Sequence, residues 1–529
     1  MLSSPFSSKL GTNYAPNDEE LERLSVLVSK LETQLQLLAS PTIDNRDETT
    51  PESFRHEHSV LAQQIDAHKA LMSPLRRVPL DILQEIFVKC LPEDENCQMS
   101  ANTAPLLLGR VCSLWRETAF STPTLWSKLH VQEPDTYSLV ERKHKKSLVI
   151  QLLSRRDATK EWLQRSGSCP LSISFKGDHQ VTVFQRSILP VLVPFSRRWE
   201  HISIKATTNL LPHIACITAK ELPLLKSLEI MERFGGQDSD RDIDRDIIQQ
   251  PWGLFTAPNV NSLGIFAAFF QESILTIHWN QLVKLDISLV PIDYSLPQSI
   301  DSLSSQRAFQ IAAICPNLRI YSILLHNFGD FTPPNSVAEL PHLHTFHVKS
   351  VGGLNSCVND LLAGRLVLPK LRDLRWHGKA HPQIPLTLSY KPFCTAARYI
   401  EVIDLSFDLF NKDTLAEFLG LVAHTLRKVK MCPSHDVGPE GSEFVFDDDI
   451  LDTLGSLVNY PALEVLDISF AAFSEQALVN FVTARMKGQQ LKRVAVRFRN
   501  PKVLDVEAKL SSFVAAGLEA NIGYPRRRS

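Results

Sequence analysis

The chain has 529 residues, 44% of them hydrophobic, with a formal net charge of −2 and a pI near 6.8. That length exceeds one compact core, so two folded parts or a repeat array are expected, and the apolar share excludes wholesale disorder. The near-neutral balance gives no global field for nucleic acid, a membrane surface or an acidic ligand.

Residues 1–17 are polar, with two prolines and no periodicity, and read as a disordered tail. Residues 18–73 read as a helical segment. Asp18, Glu19 and Glu20 suit the positive end of a helix dipole, and Leu21, Leu24, Val28, Leu31, Leu35 and Leu38 recur at steps of three and four. Pro41 and the acidic stretch 44–51 end that helix. A second run carries Leu61, Ile65, His68 and Met72 on one side. The pair predicts a helical hairpin or a self-associating coiled coil, with His68 a packing residue rather than a ligand.

In Ser73-Pro74-Leu75-Arg76-Arg77-Val78-Pro79-Leu80-Asp81, Pro79 falls where a helix begins. Ile82, Leu83, Ile86, Phe87 and Cys90 then make a wide apolar face, closed by Pro92. A polar loop, residues 93–104, leads to a second helix through Leu106, Leu107, Leu108, Val111, Cys112, Trp115 and Arg116. Phe120, Pro123, Leu125, Trp126 and Leu129 follow.

The run VPLDILQEIF, then VCSLWRETA, then TPTLWSKLHV resembles the F-box in the form common among large fungal receptor families. The resemblance covers about residues 74–130 and is carried by Pro79, Ile82, Ile86-Phe87, Val111-Cys112 and Trp115-Arg116. The phrase Trp162 to Phe175 also resembles the segment that follows the F-box there. The 93–104 loop departs from the family by its length. The resemblance implies a three-helix module that docks on a Skp-class adaptor and through it on a cullin. Pro79, Leu80, Ile82, Leu83, Ile86, Phe87, Val111, Cys112 and Trp115 are the candidates for that interface and for the small helical core; the pattern does not separate the two roles.

Residues 131–195 read as linking strands and a helix. Over 196–510 one phrase recurs eleven times: an apolar residue, two others, an apolar residue, one other, an apolar residue. It stands at Trp199-Ile202-Ile204, Leu225-Leu228-Ile230, Val260-Leu263-Ile265, Leu282-Leu285-Ile287, Leu318-Tyr321-Ile323 and Leu343-Phe346-Val348. It continues at Leu371-Leu374-Trp376, Ile400-Ile403-Leu405, Leu426-Val429-Met431, Leu463-Leu466-Ile468 and Leu491-Val494-Val496. Pro223, Pro258, Pro316, Pro341, Pro369 and Pro461 each precede a phrase by two. The last two apolar positions are two apart and so share one side of a strand. Repeats at such spacings stack to bury that side, which predicts an irregular leucine-rich-repeat array; the alternative is an ordinary α/β domain with buried parallel strands. The fold expectation is therefore an α+β / α/β solenoid: N-terminal helical segment and three-helix F-box, then a curved repeat array, then a tail over 511–529.

Between the two strand apolars lies a residue that must face away from the core. In order these are Glu229, Gly264, Asp286, Ser322, His347, Arg375, Asp404, Lys430, Asp467 and Ala495. Their mixed charge does not suit a phosphate-binding groove and fits a polar protein partner, the candidate substrate surface being Glu229, Asp286, Ser322, His347, Arg375, Asp404, Lys430 and Asp467.

The chemistry of enzymes is not in evidence. GxxxxGK[ST], strand-linked GxGxxG, HExxH and GxSxG are missing from the sequence. His342, His344 and His347 cluster, but alternation puts His344 and His347 on different sides of the chain, so no metal is expected. Asp447-Asp448-Asp449 lacks EF-hand spacing. The basic clusters Arg142 to Lys146 and Arg526 to Arg528 read as solvated. Nine cysteines with no CxxC pair, no secretory signal and no apolar run of about 18 residues lead to an intracellular, reduced protein, cytoplasmic and/or nuclear. The expectation is a non-enzymatic substrate-recognition subunit without cofactor, binding adaptor, cullin and a protein substrate but neither nucleic acid nor membrane. The alternative is a repeat scaffold for protein interaction unconnected with ubiquitin.

Overall fold

The computed structural model of the protein describes residues 4–39, 52–133, 145–177, 183–207, 212–232, 252–267, 276–289, 303–326, 337–354, 365–380, 397–433, 446–488 and 490–525. The basic clusters at 142–144 and 526–528 lie outside them. The chain divides into two compact units, Met1–Val131 with Asp157–Ile173, and Gln132–Arg156 with Ser174–Ser529.

The first unit opens with helices α1 (Asp18–Ala39) and α2 (Glu52–Leu71), which pack on one another through the stripe that their spacing dictates. Val28, Leu31 and Ile65 form one buried cluster; Leu24, Leu71 and Phe6 form another. Phe6 belongs to the stretch read as a disordered tail, whose described part includes a single turn at Ser7–Lys9. His68 is buried with both ring nitrogens engaged, by Ser4 Oγ and the Gln64 carbonyl, each at 2.7 Å.

Next come α3 (Leu80–Lys89) and α4 (Ser113–Phe120). Pro79 stands one position before the first helical residue, with its carbonyl taking the Leu83 N–H. Cys112 caps α4, its sulfur accepting the Trp115 N–H at 3.5 Å. Phe87 and Trp115 join the two helices with ring centroids 4.9 Å apart. The polar 93–104 loop is anchored by Cys97, buried, its carbonyl accepting the His130 N–H; burial pushes the Cys97 thiol up to about 11. Helix α5 (Lys145–Arg165) contributes Trp162, edge-on to Trp126 at 4.8 Å, and Arg165, whose guanidinium lies 4.2 Å from the Phe120 ring.

Among the described residues, fourteen strands make one sheet in chain order. They are β1 (Lys128–Gln132), β2 (Leu171–Lys176), β3 (Trp199–Ala206), β4 (Ser227–Glu232), β5 (Ser262–Ala267), β6 (Lys284–Leu289) and β7 (Ile320–His326). They continue as β8 (Thr345–Leu354), β9 (Asp373–Ala380), β10 (Val402–Ser406), β11 (Lys428–Cys432), β12 (Val465–Ala471), β13 (Arg493–Phe498) and β14 (Glu519–Gly523). Every neighbouring pair from β3 onward is parallel.

This corrects the expected architecture. A helical F-box followed by a separate leucine-rich-repeat solenoid is not what the structure holds; it holds an α/β fold built on one large parallel sheet. The sheet begins at Lys128, inside the stretch assigned to the F-box, and takes a second strand at Leu171, well before the first phrase at Trp199. The described parts of the links between strands also differ from one another. A single turn at Trp279–Gln281 precedes β6, whereas helix α7 (Ser305–Ile314) precedes β7 and α6 (Val183–Leu192) precedes β3. The phrase marks any parallel strand that buries one side, whatever joins it to the next, so its recurrence does not specify a repeat. The ordinary α/β alternative is the one the sheet bears out.

The apolar residues of the phrases form two continuous buried rows. Leu228, Leu263, Leu285, Tyr321, Phe346, Leu374, Ile403, Val429, Leu466 and Val494 make one; Ile230, Ile265, Ile287, Ile323, Val348, Trp376, Leu405, Met431, Ile468 and Val496 make the other. Helices α8 (Lys412–Val422), α9 (Asp448–Gly455), α10 (Glu475–Met486) and α11 (Val506–Ala515) follow the later strands. Asn411, Asp447, Ser474 and Asp505 cap them. Arg485 of α10 is completely buried and donates to the carbonyls of Tyr460 and Leu463 at 2.7 and 2.5 Å, just before β12. Burial lowers its pKa.

Candidate functional site

Two surfaces stand out, one in each unit. The first is the face of α3. Leu83 and Phe87 point inward and are fully buried, while Leu80, Ile82 and Ile86 remain 55%, 50% and 39% exposed. Helix geometry explains the split. Residues 83 and 87 lie four apart on one stripe, and residues 82 and 86 lie on the next, about 100° round the axis. Val111, at the turn before α4, is 57% exposed; Pro79 is exposed, and Cys112 and Trp115 are half-buried. The structure thus sorts the nine sequence candidates. Leu83 and Phe87 are core. Pro79, Leu80, Ile82, Ile86 and Val111 face solvent. Cys112 and Trp115 line a cleft of about 320 Å³ together with Asn13, Leu75, Arg76 and Val111.

The second surface is the polar side of the sheet. Its register places Glu229, Gly264, Asp286, Ser322, His347, Arg375, Asp404, Lys430, Asp467 and Ala495 directly opposite one another, strand by strand, between Ser203 and Asn521. The residues named from the sequence therefore form one unbroken row. Many pair across strands. Ser203 donates to Glu229 at 2.7 Å, and Ser322 meets His347 Nδ1 at 3.5 Å. Lys430 donates to Asp404 Oδ2 at 2.9 Å, and Arg375 forms a two-pronged pair with Asp373 of its own strand. At Gly264 a side chain would crowd Glu229, whose Cγ lies 3.1 Å from where a Cβ would stand.

Asp404 is the most enclosed member of the row's charged residues, 8% exposed. His377, two residues beyond Arg375 on β9, faces Asp404 Oδ1 through Nε2 at 3.3 Å. On its other edge His377 Nδ1 lies 3.4 Å from Ser406 Oγ and 3.8 Å from Cys432 Sγ. Burial opposes charge on both partners, but their contacts outweigh it. Asp404 and Cys432 raise His377 to about 9, while His377 and Lys430 hold Asp404 at about 2. His347, whose ring lies edge-on to that of His377 at 5.8 Å, goes the other way. Burial first, then Lys349, His377 and Arg375, lower it to about 4. Near neutral pH one imidazole is charged and the other is not.

Sequence reasoning named His347, Asp404 and Lys430 but missed His377, Ser406 and Cys432. The signal was available: each lies two residues beyond a named row position, and strand alternation returns the chain to the same side after two. His344 precedes β8 and contacts Thr345 Oγ1 at 3.1 Å, away from this group. Among the described residues, His377, Asp404 and Cys432 are the set of ligand-type side chains close enough to share an ion. No helix among the described residues is long and apolar enough to cross a membrane. No protein-family model matches the chain, and no curated protein matches it.

Proposed function

We propose that this chain is a non-enzymatic substrate-recognition subunit of a Skp–cullin–F-box-type ubiquitin ligase. The carrying observation is that Ile82 and Ile86, one turn apart on α3, are exposed, as are Leu80 and Val111, all within the stretch whose sequence resembles the F-box. Large aliphatic side chains left to water in this one module are costly unless a partner covers them, and the resemblance supplies a Skp-class adaptor as that partner. The adaptor bridges to a cullin. The polar row from Glu229 to Asp467 is the surface offered to a protein substrate, and its mixed charges suit a polar partner rather than nucleic acid. The chain contributes no catalytic group on this reading. Holding the substrate beside the transferring enzyme raises the effective concentration of its lysines.

The test is co-expression of the full chain with a Skp-class adaptor. A stable complex is expected. Ile86→Asp, which puts a charge on the exposed face, should weaken it by more than about a hundredfold while circular dichroism stays that of the parent. Failure to co-purify, or an Ile86→Asp variant that still binds, would remove the ligase reading.

A further inference from the structure

We infer that His377, Asp404 and Cys432 form a binding site for a transition-metal ion of the zinc class, with a further coordination position left open. The ligand atoms come from three successive strands, β9, β10 and β11, and all lie within 4.8 Å of one another. Asp404 Oδ1 is buried and has no aligned hydrogen bond, although His377 Nε2 faces it at 3.3 Å. Two ligands each about 2.0–2.1 Å from a tetrahedral ion stand about 3.3–3.4 Å apart, so this pair already has the spacing of a shared metal. Cys432 Sγ lies 3.8 Å from the other edge of the imidazole. That edge carries Nδ1, not the Nε2 that faces Asp404, so the thiol joins an ion held at Nε2 by turning of its own side chain and of the ring, the three ligand atoms already lying within 4.8 Å of one another.

The surroundings support the ligands. Lys430 holds Asp404 through Oδ2 and leaves Oδ1 to the ion, as outer partners of metal-bound carboxylates do. His347, on the neighbouring β8, lies edge-on to His377 with ring centroids 5.8 Å apart and has Nε2 buried without a hydrogen-bond partner. One thiolate, one carboxylate and imidazole together select zinc over calcium or magnesium, which prefer all-oxygen sets. The inference stands apart from the ligase reading, since it concerns a different unit and a different ligand.

The probe is cobalt(II), added to the reduced full chain. One equivalent should bind, with tetrahedral ligand-field bands and a sulfur-to-cobalt charge-transfer band, and zinc should displace it. Cys432→Ser should abolish the charge-transfer band, and Asp404→Asn or His377→Ala should weaken binding at least about tenfold. Replacing the exposed thiols Cys90 and Cys216 by serine should change nothing. X-ray absorption of the zinc-loaded parent reads the ligands without any variant, and a shell with one sulfur is expected. A charge-transfer band that survives Cys432→Ser, an absorption shell without sulfur, or no stoichiometric binding would overturn the site.

Discussion

The α3 face and the polar side of the sheet reverse the usual arrangement of surface and interior. On α3 the outward residues are apolar and lack cover within the helix's own packing. On the sheet the outward residues are polar and largely meet one another across the strands. An exposed aliphatic side chain has nothing to lose by substitution in the isolated chain, whereas a half-enclosed charge depends on its neighbours. The two surfaces should therefore answer mutation in opposite ways, one through binding and the other through stability.

The sharpest way to break that contrast is within α3 itself. Phe87→Ala removes a fully buried ring packed on Trp115 and should cost about 3–5 kcal/mol, measured by urea denaturation. A loss below about 1 kcal/mol would mean that the inward stripe is not core. Next in size, Asp404→Ala strips the partner from Lys430 and His377 and should cost about 1–3 kcal/mol of stability in the second unit. Hydrogen exchange would locate the loss in β9 to β11.

The pH response comes third, measured with chelator present. His377 is raised in the fold, so its stabilisation is complete below about 6.5 and is lost as pH climbs toward about 9. His347 is depressed, so the fold loses stability as pH falls from about 6.5 toward about 4. Asp404 adds a further loss as pH falls from the ordinary carboxylate range toward about 2. Stability of the second unit should peak near pH 6.5, and His377→Asn should flatten the alkaline side. Smallest of all, Ile82→Ser on the exposed stripe should change stability by no more than about 0.5 kcal/mol. A larger loss would show that the α3 face is covered within the chain.

Much of the polar row was legible in the order of residues. Strand alternation has a period of two, so the residue between two buried apolar positions can face only one way, and the phrase supplied ten such residues. The cluster at His377 was not. His377 and Asp404 stand 27 positions apart and Asp404 and Cys432 28 apart, and only the parallel register between β9, β10 and β11 brings them together. On α3 the apolar arc was plain, but five apolar residues in eight positions span too much of the helix for spacing to say which part is covered. Trp115 and its neighbours decide that, by seating against Phe87.

By itself the amino-acid sequence determined the eleven strands β3 to β13, their inward sides and the helices of the N-terminal region, because each depends on periodicity within a dozen positions. Tertiary structure alone decided that the strands join one parallel sheet starting at Lys128, that Leu83 and Phe87 are core while Ile82 and Ile86 are not, and that three ligand-type side chains meet. Those outcomes depend on which segments lie side by side, and contacts between distant segments leave no local period to read.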